Sequence, residues 1–376
     1  MFKEVGSNFL GVMIVSIVII ILSILLGVRK IVAPRRLLLI LIFGLMIIIV
    51  HTFITFMLFN SPSEVDVQKS LLSIVALFII FSSLLFVITS ALSIDDICFN
   101  KILTNIFYFL IANGVVISLR ILFGYQSGKE MLFFTEPSHY ALIISIFFCF
   151  KLRENTKNIF FVIPLLFISF SIENLTLVIG IFMSLCLIFF NRKILIISPL
   201  FILIISLAST SFVNSEKFNY YSQRVDISKD SKNTSTLTLL SGYEQALLAI
   251  EDTDGMGYGI QNMGYLNERG EIVKTIYSLR GGNSDSNLYD GGFFLSKLVV
   301  EFGVLGLIFF ILTLILLIKK FSERDDKFIF FTSTIYISII YFLMRGSGYF
   351  TPSSVILFLA CIYLLIASPR NIFIIK

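Results

Sequence analysis

Residues 135–140, Thr-Glu-Pro-Ser-His-Tyr, place two side chains that can transfer protons in one short polar stretch. Glu136 carries a carboxylate, and His139 is one of two histidines in 376 residues. Thr135 or Glu136 followed by Pro137 is also a sound start for a helix, because a side-chain acceptor and a proline suit its first turn. Capping explains the proline, but it does not explain the acid and the histidine. The stretch therefore predicts general acid or base chemistry at Glu136 and His139.

Four arginines are predicted to reach the same face of the molecule as this stretch. A guanidinium group keeps its charge and binds phosphate oxygens through two parallel hydrogen bonds. We therefore expect a phosphate-bearing ligand, with at least two of these side chains in contact with it. The four candidates are Arg120, Arg224, Arg280 and Arg345.

Other polar residues on that face are weaker candidates for the site. Tyr289 and Asp290 come directly before two glycines, where a ligand can approach the backbone closely, although Asp-Gly is also an ordinary turn. Glu64 and Asp66 form an acidic pair that suits a metal, but a solvated loop is the simpler interpretation. His51 lies within an apolar segment, where a structural role and a catalytic role are equally compatible with the sequence.

The composition indicates what kind of molecule must position these residues. Of the chain, 57% is hydrophobic and 14% charged, with a mean hydropathy of +0.95. Soluble domains are about 45–50% apolar and about 25% charged. The composition therefore excludes an ordinary soluble enzyme and predicts an all-α polytopic integral membrane protein. The small net charge of +5 reflects membrane topology rather than nucleic-acid binding, and the four widely spaced cysteines give no metal or cofactor motif.

About eleven transmembrane helices are expected, because each span needs roughly 20 apolar residues. Helices 1–8 fall within residues 1–212 and helices 9–11 within residues 292–376, separated by a large polar loop at 213–291. The candidate spans are 9–28, 37–59, 70–92, 102–124, 138–150, 158–172, 174–190, 194–212, 292–318, 328–345 and 350–366.

The distribution of Lys and Arg predicts the orientation of these spans. With the amino terminus outside, sixteen of the 29 basic residues lie in cytoplasmic connections, six in short outward connections and seven in the large loop. Because short cytoplasmic loops carry an excess of Lys and Arg, this asymmetry indicates that the large loop is extracytoplasmic. Eleven acidic residues in that loop make it mildly acidic.

One short amphipathic helix is expected inside the large loop, lying against the outer mouth of the bundle. Its apolar stripe has helical spacing and consists of Leu240, Tyr243, Leu247 and Ile250. The glycines that follow supply turns rather than a dinucleotide-binding motif, because the spacing and the preceding strand of that motif are missing. These glycines are Gly255, Gly257 and Gly259.

Several of these features together resemble the O-antigen polymerase (Wzy) group of bacterial oligosaccharide repeat-unit polymerases. The shared features are the EPSHYA stretch at 136–141, the long outward loop before the last three spans, and the run from Asp290 to Gly306 that contains DGG and EFGVLG. Arg280, ten residues and then Gly291 is similar to an Arg-x10-Gly pattern of some of these polymerases. The hairpin at 169–176 departs from the group, because it lacks the arginine or threonine-glycine signature that some relatives carry.

The resemblance implies a glycosyltransferase of the bacterial inner membrane with its active site facing the periplasm. Such an enzyme transfers a growing glycan from undecaprenyl diphosphate to a lipid-linked repeat unit, without a cofactor. Glu136 and His139 are then the catalytic candidates, and the arginines with Tyr289 and Asp290 bind the diphosphate and sugars. The expected partners are the undecaprenyl-diphosphate-linked oligosaccharide and the lipid bilayer, with a chain-length regulator protein as a further candidate and no nucleic acid.

Three other functions remain open from the sequence. An O-antigen ligase would use the same donor with a different acceptor, and the histidine in the EPSH motif favours the polymerase. A glycosyltransferase that uses a lipid-monophosphate sugar would employ Glu64 and Asp66 as its acids. A lipid-linked oligosaccharide transporter (flippase) is disfavoured, because no internal repeat is visible and the charges gather at the outer boundary rather than at the midplane.

Overall fold

The fold is built from α-helices throughout the part of the chain that the computed structural model describes. That part comprises residues 8–25, 35–59, 67–125, 131–134, 136–189, 234–263, 270–279, 291–346 and 348–367. Its α-helices are α1 (Asn8–Leu25), α2 (Arg35–Phe59), α3 (Val67–Ser93), α4 (Asp96–Leu122), α5 (Pro137–Glu154), α6 (Val162–Ser171), α7 (Leu175–Phe189), α8 (Thr234–Asp252), α9 (Glu271–Leu279), α10 (Phe294–Phe302), α11 (Val304–Lys320), α12 (Asp326–Leu343) and α13 (Pro352–Ile366). A 3-10 helix, Thr156–Phe161, precedes α6.

Four helices in these residues are long and apolar enough to cross a membrane. They are Leu38–Leu58 in α2, Val67–Ser93, Asp96–Leu122 and Asp326–Leu343. Shorter apolar helices cover Phe9–Leu25, Thr156–Ser171, Leu175–Ile188 and Pro352–Ile366. Their apolar side chains point outward in many places, as at Phe43 in α2, which is 68% exposed. This is compatible with a multi-pass membrane protein, while the predicted span at 194–212 lies outside the described residues.

The centre of the bundle is the antiparallel pair α5 and α12. Every side chain of α5 from Ser138 to Leu152 is buried, and 83% of α12 is buried inside the protein. At one end of the pair, Glu136 contacts Arg345. At the other end, Arg153 donates to the backbone oxygen of Ile329 at 3.2 Å. We name these the Glu136 end and the Lys151 end of the bundle.

The ninth predicted span, 292–318, is wrong as a single helix. It divides into α10 and α11 at Gly303, whose backbone has φ 55° and ψ −131°. The amide of Val304, at the start of α11, donates to the oxygen of Gly255 at 2.8 Å. A side chain at Gly303 would collide with Gly255. The apolar run continues through the break, so hydropathy alone does not reveal it.

The segment 253–263 forms this contact and fastens the end of α8 to the bundle. His51 Nε2 lies 2.8 Å from the oxygen of Met256, and Ser70 donates to the oxygen of Ile260 at 2.8 Å. His51 therefore has a structural contact on the inner side of α2. The three glycines of this segment have positive φ, as their predicted role in turns requires: Gly255 at 80°, Gly257 at 81° and Gly259 at 89°.

The amphipathic helix expected in the large loop is present as α8, but its predicted buried face is wrong. Leu247 is 63% exposed and Tyr243 is 40% exposed, whereas Leu237 and Ala249 are fully buried. The reason is that α8 packs on α10 through small residues. A side chain at Gly242 would meet the oxygen of Gly291 at 2.6 Å, so close backbone contact rather than the apolar stripe sets the orientation.

Candidate functional site

Glu136 occupies the position before the first turn of α5, but its side chain does not cap the helix. Glu136 has extended backbone (φ −138°, ψ 146°), and Pro137 occupies the first turn. The backbone oxygen of Glu136 accepts from the amide of His139 at 3.2 Å, which begins the helix. The carboxylate makes no capping hydrogen bond. The helix start therefore needs the proline at 137, but it leaves the carboxylate of Glu136 available for other contacts.

Arg345 reaches this carboxylate from the connection between α12 and α13, whose described residues are 344–346 and 348–351. This connection is called loop 344–351 below. The loop begins where α12 ends, with the amide of Arg345 donating to the oxygen of Ile340 at 3.0 Å. It ends at a capping box, in which the side chains of Thr351 and Ser354 each accept from the other residue's amide. Both ends of the loop are thus fixed by helix termini, which limits where the guanidinium can lie.

Glu136, Ser138 and Arg345 meet at one carboxylate oxygen. Arg345 Nη2 lies 3.3 Å from Glu136 Oε2, and the hydroxyl of Ser138 donates to the same oxygen at 3.0 Å. The side chains of Arg345 and Glu136 are 35% and 48% exposed. The pair joins residues that are 209 positions apart in the sequence. It remains open to a ligand from outside the bundle.

His139, in the first turn of α5, is buried at 4% exposed and interacts electrostatically with Glu136. Burial alone would raise the pKa of Glu136. The charge of Arg345 comes next in size, and with His139 and the Ser138 hydrogen bond it holds the pKa of Glu136 below its ordinary value. Glu136 is therefore an ionised carboxylate near neutral pH. It accepts protons better once the positive charge beside it is neutralised.

The structure brings together three of the predicted site residues: Glu136, His139 and Arg345. Arg120 is exposed at the end of α4. Within the described residues no hydrogen bond or ion pair joins it to Glu136. The other predicted site residues, Arg224, Arg280, Tyr289 and Asp290, lie outside the described residues, as does the acidic pair of Glu64 and Asp66.

A second charged group at the same end was not singled out by the sequence analysis. Lys297 and Glu301, one turn apart on α10, are 1% and 0% exposed, and Lys297 Nζ lies 3.4 Å from Glu301 Oε1. The hydroxyl of Tyr349 donates to Glu301 Oε2 at 2.6 Å. Opposite charges spaced i and i+4 within an apolar stretch were the available signal. Lys297, Glu301 and Tyr349 are called the buried triad below.

The Lys151 end carries a denser polar network, centred on Asn100 of α4. The amide nitrogen of Asn100 donates to Glu154 Oε1 at 2.7 Å and to Asp326 Oδ2 at 2.8 Å. Its oxygen accepts from Lys151 Nζ at 2.9 Å, and Lys151 also pairs with Glu154 at 2.6 Å. Nearby, Lys327 pairs with Asp96 at 3.1 Å. The network ties together the ends of α4, α5 and α12.

No group of three or more His, Cys, Asp and Glu side chains that suits a metal ion occurs within the described ranges. Comparisons of the chain with protein-family models, with curated proteins and with solved structures found no match. The chemistry of the Glu136 end therefore has to follow from its own side chains. A partly exposed guanidinium beside an exposed, ionised carboxylate can bind a phosphate group and accept a proton from a neighbouring hydroxyl.

Proposed function

We propose that this protein is an O-antigen or related polysaccharide polymerase, a membrane glycosyltransferase of the bacterial inner membrane that acts on its periplasmic face. The observation that carries the proposal is the contact of Arg345 with Glu136 at 3.3 Å, one helical turn from the buried His139. It combines an anion-binding group and a proton acceptor at one end of an apolar bundle. The resemblance of the EPSHYA stretch to the polymerase group supports the same function.

In the proposed reaction, a hydroxyl of the lipid-linked repeat unit attacks the anomeric carbon of the growing glycan. The bond from that carbon to the diphosphate oxygen breaks, and undecaprenyl diphosphate leaves with the bonding electrons. Arg345 stabilises the charge that develops on the leaving oxygen. Glu136 accepts the proton of the attacking hydroxyl. His139 is buried and lowers the pKa of Glu136, so we assign it the task of holding Glu136 electrostatically.

The ion pair also suggests how substrate binding prepares the base. A diphosphate that binds Arg345 competes with the carboxylate of Glu136 for the same guanidinium. Once the positive charge is neutralised, the pKa of Glu136 rises, because the largest of the influences that lower it is removed. A carboxylate with a higher pKa is a stronger base. The donor would thereby activate the group that deprotonates the acceptor.

The experiment that tests this function is a gel profile of surface lipopolysaccharide from cells that lack the gene. A polymerase is supported if the ladder collapses to core plus a single repeat unit and returns when the wild-type gene is restored. Loss of every capped species, with polymer accumulating on undecaprenyl diphosphate, would indicate an O-antigen ligase instead. An unchanged ladder would contradict both, and would favour a transporter or a glycosyltransferase that uses a lipid monophosphate.

Restoration with single-residue variants links that phenotype to the proposed site. We expect Glu136→Gln to leave the single-repeat profile, since the amide cannot accept the proton. Glu251→Gln is the matched control, because Glu251 is an exposed acid of α8 and should restore the ladder. Both proteins must be present in the membrane in equal amounts. If Glu136→Gln restores a normal ladder, the assignment of the base is wrong.

A further inference from the structure

The buried triad places two charged side chains in the protein interior, at the edge of an apolar bundle. Removing a lysine and a glutamate from water costs more than their attraction commonly returns, so a buried ion pair is poor evidence for a stabilising role. Burial, followed by the neighbouring carboxylate of Glu301, raises the pKa of the Tyr349 hydroxyl well above its ordinary value. Tyr349 therefore stays protonated and donates to Glu301.

The triad is attached to the loop that carries Arg345. Tyr349 lies four residues after Arg345, and its hydroxyl is anchored on Glu301 near the end of α10. Two residues before α10 begins, the oxygen of Gly292 accepts from the amide of Gly346 at 3.3 Å. The backbone just before α10 and a side chain near its end therefore hold two points of the loop 344–351. Arg345 directly precedes the first of these anchors, Gly346.

Two further hydrogen bonds hold the same loop to its flanking helices. The hydroxyl of Tyr341 donates to the oxygen of Gly348 at 2.6 Å, and the hydroxyl of Ser354 donates to the oxygen of Tyr349 at 2.8 Å. These contacts fix the loop to α12 and α13, its own flanking helices. The Glu301–Tyr349 hydrogen bond differs from them, because it links the loop to a charged side chain of a separate element.

We propose that Lys297, Glu301 and Tyr349 are positioning residues that hold loop 344–351 so that Arg345 meets Glu136. Lys297 pairs with the carboxylate of Glu301 and orients it, Glu301 fixes Tyr349, and Tyr349 fixes the backbone that presents Arg345. The catalytic consequence rests on the proposed function, whereas the structural consequence does not. A charge-assisted hydrogen bond suits this task, because it is short and strongly directional.

The structural consequence can be measured without any activity, through thiol labelling of the Arg345 position. Arg345→Cys is introduced together with Cys98→Ser, because Cys98 is exposed while Cys149, Cys186 and Cys361 are buried. The rate of reaction with a charged methanethiosulfonate reagent then reports how freely the loop moves. We expect Tyr349→Phe to raise that rate by about tenfold, since one hydrogen bond to a charged group is lost.

Tyr336→Phe is the matched control for this measurement. Tyr336 is a fully buried tyrosine of α12, and its hydroxyl donates to the oxygen of Met183 at 3.1 Å, so the same substitution removes a hydrogen bond far from the loop. Glu301→Gln provides a second variant if Tyr349→Phe does not fold, and it should also accelerate labelling. Equal labelling rates in the folded triad variant and in Tyr336→Phe would overturn the proposal.

The catalytic consequence is measured with purified protein and an undecaprenyl-diphosphate-linked repeat unit. We expect Tyr349→Phe to lower kcat about tenfold with little change in KM. The same substitution should cause no further loss in an Arg345→Ala background, because a positioning residue acts through the group it positions. If the wild-type protein makes no polymer but labelling still accelerates, the proposed function fails and the positioning role stands. If polymer forms and labelling is unchanged, the positioning role fails alone.

Discussion

The Glu136 end and the Lys151 end both gather acids and bases where α5 meets α12, but they organise them differently. At the Lys151 end, Asn100 bonds Lys151, Glu154 and Asp326 together. At the Glu136 end, one guanidinium meets one carboxylate. Both side chains are more than a third exposed, Arg345 at 35% and Glu136 at 48%. The first arrangement joins helices, whereas the second leaves an acid and a base accessible.

Under the proposed function, this difference distinguishes charges that tie helices together from charges that bind a ligand. A network in which each polar atom has several partners is stronger than isolated pairs, and it costs much to break. An exposed single pair contributes little to stability, so stability does not explain why Glu136 and Arg345 are paired. The buried triad of Lys297, Glu301 and Tyr349 has features of both arrangements. It is enclosed in the protein, but it is connected to the loop that carries Arg345.

The largest difference between the two ends should appear in activity. Arg345→Ala removes the proposed anion-binding group, and we expect polymer formation to fall by about 100-fold or more, the usual cost of losing transition-state charge stabilisation. Arg324→Ala is the matched control, because Arg324 is an exposed arginine near the Lys151 end. The measurement is the rate of glycan extension by purified protein. Similar losses in the two variants would remove the functional distinction between the ends.

Substitutions at the Lys151 end should lower the stability of the fold more than substitutions at the Glu136 end. Asn100→Ala deprives Lys151, Glu154 and Asp326 of a shared partner, and we expect a loss of about 1–3 kcal/mol in the free energy of unfolding. The chain has no tryptophan, so a thiol-reactive dye that reports exposure of the buried cysteines Cys149 and Cys186 is the suitable thermal probe. An unchanged midpoint, relative to the conservative Asn100→Gln, would show that the network is not a structural one.

The sequence located the residues of the Glu136 end better than it predicted the contacts between them. Glu136 and His139 lie on one helix start, so their proximity follows from local structure alone. Arg345 was expected on the same face through the distribution of Lys and Arg, but its contact with Glu136 depends on how α5 and α12 are rotated against each other. That rotation is set by side-chain packing across the whole bundle, which no local pattern contains.

The errors in the predicted fold also arise from tertiary packing that no local sequence pattern contains. Apolar periodicity predicted the helix α8 but the wrong buried face, because Gly242 lets two backbones approach and so outweighs the exposed Leu247. Hydropathy ran unbroken through Gly303, where a loop distant in sequence inserts its backbone. The buried triad had a local signal in the charges of Lys297 and Glu301, whereas its third member, Tyr349, is joined only by tertiary contact.

The pH dependence of activity on its acid side should also distinguish the Glu136 end from the Lys151 end. Arg345 is the larger of the two charged influences that lower the pKa of Glu136, and His139 is the smaller. We therefore expect the acid limb of residual activity to move to higher pH in Arg345→Gln, and by a smaller amount in His139→Gln. Glu154→Gln, at the Lys151 end, should leave the limb unchanged. A limb that does not move in Arg345→Gln would show that another group titrates.

The smallest expected effect is the stability change when the exposed pair is broken. We expect Glu136→Gln to lower the free energy of unfolding by at most about 0.2–1 kcal/mol, as for other exposed ion pairs. Because the folded-state pKa of Glu136 is lowered, this contribution is present above the unfolded-state pKa and is lost as the pH falls through the folded-state pKa. The thiol-dye midpoint at neutral pH, with Glu251→Gln as the control, measures it. A loss as large as that of Asn100→Ala would mean that Glu136 and Arg345 join helices as the Lys151 end does, and that a structural role is enough to explain the pair.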